Sequence, residues 1–184
     1  MFRSAANVAA MALCFCLLGL AANVPGIWLD VPFVKQSRDG CGAASIAMVM
    51  QYWSHQPGST NIKADSAEIL RDLYSEKAHG IFAADMERYF QQHGFRTFTF
   101  RGDWDEVKHD LEKGRPLIAA LKPSRGDPSL HYLVIAGLNW QDGTVLVNDP
   151  AQRKLLKEDC STFAREWNAT GKWTLLAVPQ SANQ

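Results

Sequence analysis

The chain has 184 residues, with 19 basic and 19 acidic side chains and no formal net charge. That balance argues against a dedicated binder of nucleic acid or of anionic membranes, where a basic excess is expected. Once a leader is set aside, about 160 residues remain, enough for one domain with a real core.

Residues 1–22 read as a secretory signal. Arg3 is the only charge before Asp30, an apolar stretch runs from about Val8 to Leu20, and Ala21 and Ala22 suit cleavage after Ala22. The stretch is short for a spanning helix, although an uncleaved N-terminal anchor is the competing reading. Export to the periplasm or the outside is therefore expected, with no stable membrane span after the signal is removed. Residues 27–180 form the predicted domain.

Ile27 to Val34 reads as a short strand, restricted by Pro25 and Pro32 to an edge or extended position. Gly40 allows a turn into a helix, and Gly42 to Trp53 is apolar or small almost throughout, as in a central buried helix. A second helix begins near Asp65, where Asp65 and Glu68 resemble a capping pair. A third covers Ala83 to His93 and ends at Gly94. Phe95, Phe98 and Phe100 mark a strand, and Asp103 opens a helix with Trp104, Val107 and Leu111 inward. Strands follow at Pro116–Lys122, His131–Leu138 and Thr144–Asn148, the last two joined by the hairpin signal Asp142-Gly143. Asp159 to Trp167 reads as a short helix and Trp173 to Val178 as a final strand. Helices first and antiparallel strands after predict an α+β fold, two layers around one cleft.

Cys14 and Cys16 fall within the signal, leaving Cys41 and Cys160. A disulfide between these two is the plain reading for an exported protein. Cys41 has a better use as a free thiol. It opens the apolar helix, whose N-terminal partial charge favours thiolate over thiol. Gln36, five residues earlier, is placed to direct an amide at an oxygen that becomes negative during acyl transfer. His131 begins one strand of the predicted hairpin and Asp149 follows the other, which brings them to one end of the sheet. A thiol, an imidazole and an orienting carboxylate make a nucleophilic triad. There is no Cys-x-x-Cys and no His-Glu-x-x-His, so no metal site is expected, and the chemistry needs no organic cofactor.

Four separated segments carry a family resemblance: Val31-Pro32-Phe33-Val34-Lys35-Gln36, Cys41-Gly42-Ala43-Ala44-Ser45, His131-Tyr132-Leu133-Val134 and Asn148-Asp149-Pro150. Together they resemble the papain-like cysteine peptidases of the bacteriocin-processing, double-glycine-leader type, and more closely the stand-alone peptidase C39-like domains. Gln36 stands five residues before Cys41, as in those stand-alone relatives. The resemblance implies a papain-like fold, with an N-terminal helical layer on a C-terminal antiparallel sheet. It implies a peptide or protein substrate, Cys41 as nucleophile, His131 as base, Asp149 as orienting group, and Gln36 with the Cys41 N–H as oxyanion donors. Acyl transfer to an amine and non-catalytic peptide binding are the alternative activities. Plainer roles exist for each residue: Cys41 as a small core residue, His131 as a strand-end histidine, Asp149 as a turn former before Pro150, and Gln36 as a loop hydrogen bonder. His55, His79, His93 and His109 are rival bases in polar contexts. The loop Lys122 to Leu130 is a candidate border of a substrate groove. Trp53, Trp104 and Trp167 are expected in the core or cleft wall, and Tyr132 is expected to pack on the strand face opposite His131.

Overall fold

The computed structural model describes residues 26–59, 62–123 and 130–180. The predicted signal, 1–22, and loop residues 124–129 lie outside them. The element α1 (Cys41–Ser54) is central because it has no polar face to turn to water. Every residue from Gly42 to Met50 is buried, and such a helix has to be surrounded by protein. Next comes α2 (Ser66–Leu73), which starts as predicted at Asp65, whose Oδ1 accepts from the N–H groups of Ala67 and Glu68. It buries Ile69, and α3 (Ala83–Gln92) buries Met86 and Phe90. These three helices build one apolar core against one face of the sheet.

Among the described residues the sheet has seven strands: β1 (Ile27–Trp28), β2 (Phe95–Arg101), β3 (Leu117–Leu121), β4 (His131–Asn139), β5 (Thr144–Asn148), β6 (Leu156–Asp159) and β7 (Trp173–Pro179). Their order is β2-β7-β3-β4-β5-β6, with β1 on the part of β4 that lies beyond β3. All pairings are antiparallel. The α+β expectation, with an N-terminal helical layer on an antiparallel sheet, matches this architecture.

The opposite sheet face is covered as well, by α4 (Trp104–Glu112) and α5 (Cys160–Asn168). Val107 and Leu111 of α4 and Phe163 and Trp167 of α5 join Leu133 and Ile135 in a second core. Three layers thus replace the expected two. The physical reason is in the strands: β3 is buried along its whole length, and a strand apolar on both faces needs cover on both. Two further departures are local. Only Ile27 and Trp28 of the expected Ile27–Val34 strand pair with β4. The strand β6 was not anticipated, because its Lys-Glu-Asp sequence reads as the approach to a helix. Cys41 and Cys160 are both free thiols, associated with cores on opposite sheet faces, which overturns the disulfide reading.

The topology gathers three chain positions. Antiparallel pairing sets Val134 of β4 opposite Asn148 of β5, so His131 at the start of β4 and Asp149 just past β5 share one sheet end. Burial of α1 against β4 brings Cys41 to the same end.

Ser45 in α1 is fully buried, and its hydroxyl has no hydrogen-bond partner among the described residues. Replacing an unpaired buried hydroxyl by a methyl removes a desolvation cost of about 1–3 kcal/mol. Ser45→Ala should therefore leave the melting temperature unchanged or raise it, measured by calorimetry. A clear drop would contradict the assignment.

Candidate active site

Cys41 is set by the turn before it. Gly40 N–H donates to Ser37 O at 3.0 Å, and Asp39 takes a left-handed φ of 56°, an uncommon conformation for a residue with a side chain. Cys41 is the first residue of α1, so its N–H has no acceptor within the helix. Gly40 supplies no side-chain cap and the first turn has no acidic residue. The positive end of the helix is therefore left open beside the thiol. Gly42 allows the helix start to come close to its neighbours. A Cβ there would stand 3.2 Å from Ile81 Cβ and 3.5 Å from the Tyr132 ring.

His131 Nε2 lies 2.9 Å from Asp149 Oδ1. The other ring nitrogen is not used by Asp149, and Cys41 is the second group that raises the ring's proton affinity. Burial disfavours the charged ring most strongly, but the hydrogen bonds and negative charges of Asp149 and Cys41 outweigh it and push its pKa up to about 10. Asp149 is 4% exposed. Burial works to protonate it, yet the bonds from His131, the Ala151 N–H and Gln152 hold it below the usual carboxylate range. Its Oδ1 accepts from Ala151 N at 2.8 Å and its Oδ2 from Gln152 Nε2 at 2.6 Å.

The residues flanking Asp149 tie in the rest of the site. Asn148 is fully buried. Its Nδ2 donates to Val31 O at 3.0 Å, and its Oδ1 accepts from Leu155 N at 2.9 Å. Pro150 O accepts from the Gln36 N–H at 3.0 Å. Three consecutive residues thus hold the approach segment, the imidazole and the Gln36 backbone. Gln36 Oε1 is buried without a partner, and its Nε2 donates to no described residue.

The four residues singled out in the sequence thus converge on one sheet end. The rival histidines His55, His79, His93 and His109 are exposed. Tyr132 faces the α1 core, as its strand position predicts, and Trp167 is fully buried. Cys160 is partly buried, and burial followed by the neighbouring Asp159 raises its thiol pKa. The sequence singles out Asn148 only as part of Asn148-Asp149-Pro150, without a role, and does not single out Gln152. Nothing local marks Gln152, whereas Asn148, a polar residue closing the apolar run Val145–Val147, carries a weak signal.

Two expectations follow. Asn148→Ala leaves the buried Val31 carbonyl and the half-buried Leu155 N–H unpaired and should cost on the order of 2–3 kcal/mol in chemical denaturation; an effect below about 0.5 kcal/mol would contradict the clamp. Stability should also depend on pH. The folded His131 keeps its proton up to about 10 against 6.5 for an ordinary ring, so its contribution is full below 6.5 and is lost as pH rises through 10. Asp149 contributes above its ordinary value of 3.8 and loses that contribution as pH falls through its lower folded value. Melting temperature should decline from pH 6.5 to 10, and less steeply in Asp149→Asn.

A family model described as Peptidase C39-like matches residues 28–175. The structure is similar to that of a C39-like peptidase from Bacillus anthracis, with 17% identity, TM-score 0.66, and coverage of 85% of this chain and 98% of that one. It is similar to a double-glycine-motif protease from an AMS/PCAT transporter, solved with its leader peptide, at 21% identity, TM-score 0.61 and coverage of 85% and 99%. The peptidase domain of Streptococcus ComA gives 23%, 0.62, 82% and 98%. No curated protein sequence matches at a significant level. At these identities the solved structures speak for the fold, and the family match covers most of the chain: the protein belongs to the peptidase C39-like family, a family of cysteine-type peptidases.

Proposed function

We propose that this protein is an exported cysteine peptidase that hydrolyses a peptide or amide bond through Cys41, His131 and Asp149, by way of a thioester. The observation that carries this reading is the 2.9 Å hydrogen bond between His131 Nε2 and Asp149, on a ring whose proton affinity Cys41 also raises. A ring with a pKa of about 10 is an imidazolium at neutral pH, and an imidazolium beside a thiol stabilises the thiolate.

In the proposed reaction the Cys41 sulfur bonds to the carbonyl carbon and the carbonyl electron pair moves onto oxygen. The uncommitted Gln36 Nε2 and the Cys41 N–H, unpaired at the helix start, donate to that oxygen. Collapse breaks the C–N bond, and the leaving amine takes its proton from His131. The neutral ring then removes a proton from water as its oxygen attacks the thioester, and a second collapse releases the acid and restores the ion pair. Asp149 holds the ring orientation throughout. The leader peptide bound by the structurally similar transporter protease supports a peptide as substrate. Export rests on the charge and apolar pattern of residues 1–22.

Cys41→Ala should abolish both peptide hydrolysis and the thioester adduct seen by mass spectrometry while retaining the wild-type melting transition. Full hydrolysis by this variant would refute the nucleophile. The alkaline limb of kcat/KM should lie near pH 10. Asp149 raises the ring's proton affinity, so Asp149→Asn should move that limb to lower pH; an unmoved limb would exclude Asp149 from the site.

A further inference from the structure

On the α1 side of the sheet a cavity of about 420 Å³ is lined by Ala83, Ala120, Leu130, Tyr132, Thr170 and Trp173. Its position relative to the thiol follows from Tyr132, the residue after His131. The Tyr132 ring lies against Gly42, packs edge-on to Trp173 with centroids 5.6 Å apart, and is close enough to feel the charge of Cys41. The walls are mostly hydrocarbon and aromatic, and the volume falls in the range that holds small ligands.

Tyr132 is only 3% exposed, yet its hydroxyl has no hydrogen-bond partner among the described residues. Burial first, and then Cys41, raises its pKa, so it remains a neutral phenol with a proton to donate. The other wall hydroxyl is committed, since Thr170 Oγ1 sits 2.6 Å from Ala120 O and 2.7 Å from Trp167 O. Lys122 also borders the cavity, but its side chain is exposed, and a solvated ammonium gains little from pairing with an anion. A plain hydrocarbon covering Tyr132 would strand its hydroxyl, whereas a group with its own hydroxyl would pair with it.

Resting on the peptidase reading above, we propose that this cavity receives one substrate side chain flanking the scissile bond, and that Tyr132 selects a large uncharged side chain with a hydrogen-bonding tip, tyrosine first. This gives the site a preference that thioester chemistry alone does not supply.

The test is digestion of a peptide library randomised on both sides of the cut, with products read by mass spectrometry. One position near the cut should favour tyrosine over phenylalanine by roughly tenfold. Tyr132→Phe should bring that ratio to about one. Ala83→Met, which narrows the cavity from its rim, should shift the same position towards glycine and alanine. Cleavage with no such preference, enrichment of acidic residues there, or a preference unaltered by both variants would overturn the assignment while leaving the peptidase reading intact. If no peptide is cut and Cys41 carries no acyl adduct, the peptidase reading fails and this one with it.

Discussion

The hydrogen bond between His131 Nε2 and Asp149 Oδ1, 2.9 Å long, joins two neighbouring strand ends and places a buried negative charge where it has to be matched. A carboxylate that is 4% exposed persists only because three donors and the imidazolium charge surround it. The same bond fixes which ring nitrogen Asp149 leaves unused. Sheet pairing, helix burial and the protonation of the site all meet at this contact.

The corner that supplies Asp149 extends its influence. Asn148 holds the segment before α1, and Pro150 O holds the backbone of Gln36. The turn at Ser37–Gly40 then sets the short distance along the chain from Gln36 to Cys41. The candidate oxyanion donors and the candidate base are thereby referred to one rigid hairpin end. Functional groups held on scaffold elements keep their geometry better than groups on free loops, and here the α1 start and the β4–β5 end provide that scaffold.

Much of this was legible in the sequence, for identifiable reasons. Asp142-Gly143 marks a hairpin because glycine takes the positive φ, 60° here, that the turn requires. That hairpin in turn predicts that His131 and Asp149 share a sheet end. Asp65 was readable as a cap because a carboxylate before a helix satisfies free N–H groups. The third layer was less legible. The helices α4 and α5 were both recognised, but helical periodicity identifies an apolar face without saying which surface it meets. The strand β6 escaped because a four-residue edge strand with one apolar and three charged residues carries little hydrophobic signal. The Asn148 clamp and the open Tyr132 hydroxyl are facts of tertiary geometry, since a buried polar group's partner lies far away in the chain.

On the proposed mechanism the His131–Asp149 pair keeps Cys41 reactive while Cys160, half-buried beside Asp159, stays inert. The chain carries its own control, so the most direct measurement is the rate of iodoacetamide alkylation at the two cysteines of one sample at pH 6, resolved by peptide mass spectrometry. Cys41 should be modified at least tenfold faster than Cys160, and the ratio should fall in Asp149→Asn. Equal rates at the two thiols, or faster modification of Cys160, would contradict that mechanism.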